Sequence, residues 1–500
     1  MAKTKVKPKN ATSKSDVWYK VLTVVIIVCL VAGLLVAVLQ PTGLADYISL
    51  HSQTAMSTEH YKLNNAQFTY MTHLIYNNYQ SSYGSSYTIP IEYCKTSAQS
   101  TLSEALVLYE AAKADGFELT PDQKAQIDDT MKSLEEYGKS QNYNLASTIA
   151  LMYGGKGVKK GDVRKTIELQ TIASAYAQKL NDSFTITDEE YTKQYEDNKN
   201  DYLTADYYSF TVKAEYDKDA DDDAKTAAIT AAKDKAKEIF DRVEGGEDFI
   251  KVVTEYKKSV AEQNKKALEE AEEKNQEEID KAAKAIEDIT EESVKKEVLT
   301  ERHKSSDSEA DKWIFADTPA ADNAVKMIDA DESATVYQIV ASAHRDETKT
   351  VSMHYLYVPY SYFTDNKDAA EEFVKNMIAE YNKGEKTADS FDALAASSST
   401  DKITVSGGSY KESTKLGYSD SKYDEADAWL FSADRKAGDV EYFKIGDEGI
   451  VTFRFEAEGR AAWLVSADND IREARLEAKV EEFKTTYPVT INEKAIAKVN

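Results

Sequence analysis

The 500-residue chain is poor in sulfur and imidazole, with two cysteines and six histidines. That excludes a disulfide scaffold, a zinc ribbon and an iron–sulfur protein, each of which needs about four such ligands. Basic residues are in deficit, 62 Lys and Arg against 88 Asp and Glu, for a net charge of -26. Such a surface is unsuited to gripping nucleic acid. Prolines number only seven, so long helices meet few breakers. No Gly-rich phosphate loop, His-Glu-x-x-His or Gly-x-Ser-x-Gly elbow occurs, which demotes nucleotide and protease chemistry. The run Asp217, Asp219, Asp221, Asp222, Asp223 fails as a calcium loop, because Asp222 stands where Gly is required and Ala228 where Glu is required. It reads as a solvated helix start, and neither a metal nor a cofactor is expected.

The N-terminus has what the rest lacks. Lys3, Lys5, Lys7, Lys9, Lys14 and Lys20 precede an essentially apolar run over residues 21–39. That run is long enough for a single membrane-spanning helix, with residues 1–20 as a cytoplasmic basic segment. The first 45 residues contribute +5, which leaves -31 on the remainder, so the body is expected on the extracytoplasmic side of the cell membrane. A cleavable signal peptide is the alternative, since Gly43-Leu44-Ala45 has a small-x-small pattern. Cys29 lies within the apolar run and reads as lipid-facing, and Cys94 reads as a small buried hydrophobe.

At this length two to four domains are expected. After a linker at 40–56, residues 57–202 read as helices, with starts at Thr120-Pro121-Asp122 and Thr187-Asp188. Tyrosines such as Tyr61, Tyr70, Tyr76, Tyr79, Tyr83 and Tyr93 fall at helical spacing and read mainly as core. Beyond them lies an internal repeat. Ala310-Asp311-Lys312-Trp313-Ile314-Phe315 matches Ala426-Asp427-Ala428-Trp429-Leu430-Phe431, and the strand-like runs at 207–212 and 353–358 match upstream. Each unit reads as strand, helices, then strands, a small α+β domain. The first copy carries a Glu- and Lys-rich insertion at 256–304, expected to be a solvated helix or helical hairpin. Of the histidines, His51, His60, His73, His303 and His344 read as surface or locally bonded. His354 differs, because it interrupts a hydrophobic strand.

The arrangement resembles the PrsA and SurA type of extracytoplasmic foldase. Residues 61–78 (YKLNNAQFTYMTHLIYNN) resemble the opening helix of that family's chaperone domain, and residues 186–202 (ITDEEYTKQYEDNKNDY) resemble its close. Residues 472–499 (REARLEAKVEEFKTTYPVTINEKAIAKV) are similar to the C-terminal segment that, in the family, returns to the N-terminal helices. The resemblance implies an α+β multidomain fold: a helical chaperone domain over 57–202 joined by 471–500, a degenerate parvulin-like module over 203–345, and a second parvulin-like module over 349–468.

The parvulin pattern is carried best by the second copy. His354 matches its first-strand His, Asp401 its acid-or-cysteine position, Gly407-Gly408 its glycine loop and Tyr423 its aromatic pocket. Val451 stands where the second His would be, so the paired-histidine network is broken. In the first copy Tyr208 and Gln338 replace the two histidines. The resemblance implies His354 and Asp401 as catalytic residues and Tyr423 as a substrate-binding one. The expected function is a membrane-anchored foldase or chaperone for unfolded secreted polypeptides, with prolyl isomerase activity weak or absent. The alternatives are a non-catalytic holdase or a scaffold built on the same folds.

Overall fold

The computed structural model describes residues 50–84, 89–154, 157–271, 275–304, 306–364, 366–400, 402–418 and 420–499. The expected membrane span at 21–39, with Cys29, lies outside them, as does Asp401. Among the described residues no helix is long and apolar enough to cross a membrane. The architecture is mixed α+β with three antiparallel sheets, and the chain divides into two units.

Among the described residues, one unit comprises 50–187 together with 468–499. Its helices are α1 (Asn65–Tyr83), α2 (Ile91–Ala114), α3 (Pro121–Ser140), α4 (Leu145–Met152) and α5 (Lys160–Ser183). Their starts follow the chemistry of the first turn. Thr120 and Gln123 form a capping box ahead of Pro121, and Asn64 and Gln67 form another ahead of α1. The helices bury Phe68, Leu102, Leu106, Ile149 and Val163, and the C-terminal residues Val480, Ile496 and Val499 join the same core. A fully buried Leu or Phe contributes about 2 kcal/mol. A hairpin of β1 (Thr54–Ser57) and β2 (Lys62–Asn64) also pairs with Thr490–Ile491, Met56 standing opposite both Leu63 and Ile491. Cys94 is fully buried. The tyrosines divide: Tyr70 is core, whereas Tyr83 and Tyr93 are exposed.

Residues 188–467 form the other unit, led by α6 (Asp188–Asp197). It contains the repeat as two modules. The first runs β3 (Leu203–Lys213), α7 (Asp222–Glu244), α8 (Phe249–Glu270), α9 (Gln276–Asp288), α10 (Glu291–Val298), β4 (Leu299–His303), α11 (Glu309–Ile314), β5 (Val325–Asp329) and β6 (Ser333–Arg345). The second runs β7 (Lys349–Pro359), α12 (Lys367–Lys383), α13 (Ala388–Ser398), β8 (Ser406–Ser413), α14 (Asp424–Leu430), β9 (Val440–Ile445) and β10 (Gly449–Ala461). The sheets have the same plan, β4-β3-β6-β5 and β8-β7-β10-β9, all antiparallel.

Strand alternation sends successive side chains to opposite faces, and both faces of each sheet are covered. In the second module Leu356, Val358 and Ile450 pack against Val374 and Met377 of α12 and Phe391 of α13. Met353, Phe453 and Phe455 pack on the other side against Ala426 and Leu430 of α14. The acidic run before α7 ends in an N-cap, with Asp221 accepting from the Ala224 N–H at 2.8 Å.

The insertion is not wholly helical. Residues 299–303 form the edge strand β4, with Leu299 opposite Tyr208 and His303 opposite Thr204. Pairing with the open side of β3 satisfies the backbone of both strands, which outweighs the helical bias of the charged sequence before it.

Candidate functional site

Of the site residues expected from the sequence, His354 and Tyr423 lie on opposite faces of one sheet, and Asp401 lies outside the described residues. His354 lies on β7 with its side chain toward the helices: Nδ1 is 2.7 Å from Asp392 Oδ1 on α13. Its neighbour across β10 is Arg454, not Val451. Arg454 is buried, donates to Tyr381 Oη at 2.8 Å and pairs with Glu456, whose carboxylate is 4.0 Å from His354 Nε2. His354 is therefore held in a network of charged side chains.

Tyr423 belongs to the opposite face of the same sheet. It packs with Tyr355, Tyr357, Tyr410, Leu416, Trp429 and Phe443 over the core of Met353 and Phe453. Val451 is on this face too, opposite Tyr357. The sequence match thus paired positions that the register places on different faces, and an odd step along a strand always has that effect. In the first module the match is in register, with Gln338 directly opposite Tyr208.

Gly407 and Gly408 do not form a loop. They lie within β8, opposite Leu356 and Tyr355. The reason is steric. A Cβ on Gly407 would lie 2.8 Å from Leu356 Cδ2 and 2.9 Å from the Tyr355 carbonyl, and one on Gly408 would lie 3.0 Å from the Tyr355 ring. Gly449 plays the same part for Tyr357, whose hydroxyl would be 2.9 Å from an added Cβ. Two glycines thus leave room for two tyrosines on one face.

The face they make is aromatic and carries hydroxyl groups. Tyr355 and Tyr410 stack with centroids 5.1 Å apart and planes 25° apart. Trp429 and Phe443 approach to 5.9 Å, and the Arg435 guanidinium lies 4.8 Å over the Trp429 ring. Burial pushes the Tyr410 hydroxyl up to about 12, with Tyr355 and Tyr423 adding to it. Burial also raises Tyr355, Tyr357 and Tyr423. All four are neutral at neutral pH, as tyrosine ordinarily is. Such a surface can hold an apolar ring and donate to a peptide carbonyl.

On the same side of the sheet, α14 carries two carboxylates. Asp427 is buried, accepts from the Gly417 N–H at 2.6 Å, and has no hydrogen-bond partner at Oδ1 among the described residues. Burial pushes it up to about 6 against the opposing backbone donors of Gly417 and Leu416. Asp424, one turn earlier, is also raised, by burial and then by Glu301. Among the described residues no group of three acidic, imidazole or thiol side chains is placed to hold a metal ion.

Sequence reasoning missed Tyr355, Tyr357, Tyr410 and Asp392. The one available signal was tyrosine at alternate positions of β7 together with glycine on both flanking strands. It also read the histidines too blandly. His51 bonds Asp162 at 2.8 Å, His60 bonds Glu110 at 2.6 Å, and His303 bonds Asp346 at 2.7 Å, each carboxylate being buried.

No family model matches the chain, and no curated protein matches it. Among solved structures, the foldase protein PrsA from Streptococcus pneumoniae str. Canada MDR_19A is similar at 12% identity, over 69% of this chain and 92% of its own, with a TM-score of 0.22.

Proposed function

We propose that the chain is a membrane-anchored extracytoplasmic foldase or chaperone, which holds unfolded or partly folded secreted polypeptides on the aromatic face of its second module. The observation that carries this reading is the stacked Tyr355–Tyr410 pair beside Tyr423. Tyrosine gives large contact area at low entropic cost, which suits a surface that takes many sequences. The basic flank and apolar run at residues 21–39 support the anchor and the side of the membrane.

In this reading the face holds a prolyl or aromatic ring without driving rotation about its peptide bond. Isomerisation requires groups that favour the twisted amide over the planar one. His354 is turned to the other face of the sheet and bonded to Asp392. The deciding experiment is suppression of aggregation of two unrelated unfolded clients by the full chain and by the Tyr410→Ala/Tyr423→Ala double variant. Protection by the wild type that is lost in the variant supports the reading. Equal protection by both overturns the assignment to this face.

A further inference from the structure

We propose that a cationic side chain of the bound polypeptide, lysine or arginine, docks in an acidic niche between the two modules, formed by Asp206, Glu301, Asp424 and Asp427 beside the aromatic face. The proposal rests on the reading of that face as a client surface and adds the chemistry of the client.

The niche begins with an unfavourable pairing. Asp206 on β3 stands directly opposite Glu301 on β4, and like charges across a strand pair repel. The second module brings Lys415 to this point, where it forms an ion pair with Glu301. The same segment continues into Leu416 and Gly417, over which Asp424 and Asp427 converge: a Cβ on Gly417 would collide with Asp424 Oδ1 and lie 3.0 Å from Asp427 Oδ2. Lys415 acts on Asp206, Asp424 and Asp427 as well as on Glu301. Four carboxylates thus share one ammonium that is already committed. Neither Asp206 nor Asp424 has a salt bridge among the described residues, and burial together with Glu301 raises both.

Asp427 Oδ1 adds a geometric observation, a buried oxygen with no hydrogen-bond partner among the described residues, in a residue only 4% exposed. Buried polar atoms are otherwise nearly always bonded. The carboxylates are not grouped to hold a metal ion. A guanidinium or ammonium on a flexible stem spans such a spread and brings several donors. The niche adjoins the ring-binding surface through Leu416 and Tyr423, which pack on the same core cluster as Tyr355 and Tyr357. An extended segment with its ring on the tyrosines therefore carries a neighbouring side chain to the acids.

The test uses the full-length chain in detergent and three matched peptides, Ac-Ala-Arg-Ala-Pro-Phe-Ala-NH2 and its Gln and Glu counterparts at the Arg position, titrated by calorimetry at low salt. The Arg peptide is expected to bind about tenfold tighter than the Gln peptide, with the Glu peptide weakest. The Arg preference should shrink at 0.5 M salt, a concentration chosen because it cuts the screening length to roughly half its physiological value. The Asp206→Asn/Asp424→Asn variant should bind Arg and Gln peptides alike, and Asp424→Asn alone, at an exposed position, should give part of that loss. Equal binding of all three peptides by the wild type overturns the niche and leaves the aromatic face standing. An Arg preference unchanged in the double and single variants also overturns it. Failure of every peptide to bind overturns the client surface together with the niche.

Discussion

Asp311 and Asp427 occupy the same step of the two repeats and differ in one partner. The Arg302 guanidinium donates to Asp311 at 2.6 Å, and Ser306 supplies both its N–H and its hydroxyl. Asp427 takes the Gly417 N–H and no cationic hydrogen bond, and its second oxygen is unpartnered. The sequence repeat Ala-Asp-x-Trp is thus kept for a shared purpose, tying the loop before the short helix, but only the first copy neutralises the buried charge. The second copy carries an ionisable group pushed up to about 6, on the short helix that packs on its aromatic face.

That difference has a pH signature. Asp427 is pushed up to about 6 in the folded chain against an ordinary 3.8, so the folded state favours the protonated form. Its stabilising contribution is complete below the unfolded value and is lost as pH rises through about 6. Two pKa units correspond to roughly 3 kcal/mol. Urea unfolding followed by Trp429 fluorescence should therefore show the second module gaining stability on acidification from pH 7.5 to pH 5. Asp427→Asn should flatten that gain and raise stability at pH 7.5. An identical pH slope in wild type and variant would sink the idea.

His354 is predicted to be dispensable for handling the prolyl bond. Its ring is bonded to Asp392 on the helix side, with 20% and 47% of the two side chains exposed, so the pair is weakened by solvent. His354→Ala should cost no more than about 1 kcal/mol of stability. NMR exchange on an Xaa-Pro peptide should give the same rate with wild type and His354→Ala, whereas Tyr410→Ala should weaken peptide binding. A fall in catalysed exchange on losing His354 would restore it as a catalytic residue.

How much of this was legible beforehand depended on the range of the signal. Helix starts such as Thr120-Pro121 and the Ala-Asp-x-Trp repeat are local patterns, and the structure has α3 and the paired helices α11 and α14 at those positions. The face on which His354 lies is not local. It follows from which residue of β10 stands opposite, and a pattern match that ignores register cannot tell Arg454 from Val451. Strand β4 was hidden for a related reason: Leu299-Thr300-Glu301-Arg302-His303 has little apolar alternation, and only the open side of β3 makes it a strand. The carboxylate partners of His51, His60 and His303 lie 111, 50 and 43 residues away, beyond any motif.

The glycines of β8 should resist side chains. At Gly407 an added methyl meets the Tyr355 carbonyl at 2.9 Å, a backbone atom that cannot rotate away. Gly407→Ala should therefore destabilise the second module by about 1–3 kcal/mol. At Gly408 the obstacle is the Tyr355 ring at 3.0 Å, which can tilt but only by disturbing its stack on Tyr410. Gly408→Ala should then lower peptide affinity more than it lowers the melting temperature. Full stability and full binding in both variants would contradict the close packing.

The N-terminal hairpin should be released by acid. Glu110 on α2 is buried, which works to raise it, but Thr58, the His60 ring and the His60 N–H outweigh that and hold it below the ordinary carboxylate range. The bonds are short, 2.6 Å from Thr58 Oγ1, 2.8 Å from the His60 N–H and 2.6 Å to His60 Nδ1. A depressed folded pKa means stability that is present above the ordinary glutamate value and is lost as pH falls through the folded one. Hydrogen exchange at residues 54–64 should accordingly accelerate as pH drops below about 4.5, after correction for the intrinsic rate, before the helical core opens. Glu110→Gln keeps the shape but removes the charge that Thr58 and His60 share. It should loosen the hairpin at neutral pH by about 2 kcal/mol and remove the acid step. Because Met56 of β1 pairs with both Leu63 and Ile491, the loss should reach the C-terminal strand Thr490–Ile491 as well. Protection that falls in β1 and β2 but stays intact at 490–491 would show that the C-terminal strand is held by its own contacts and not by the hairpin.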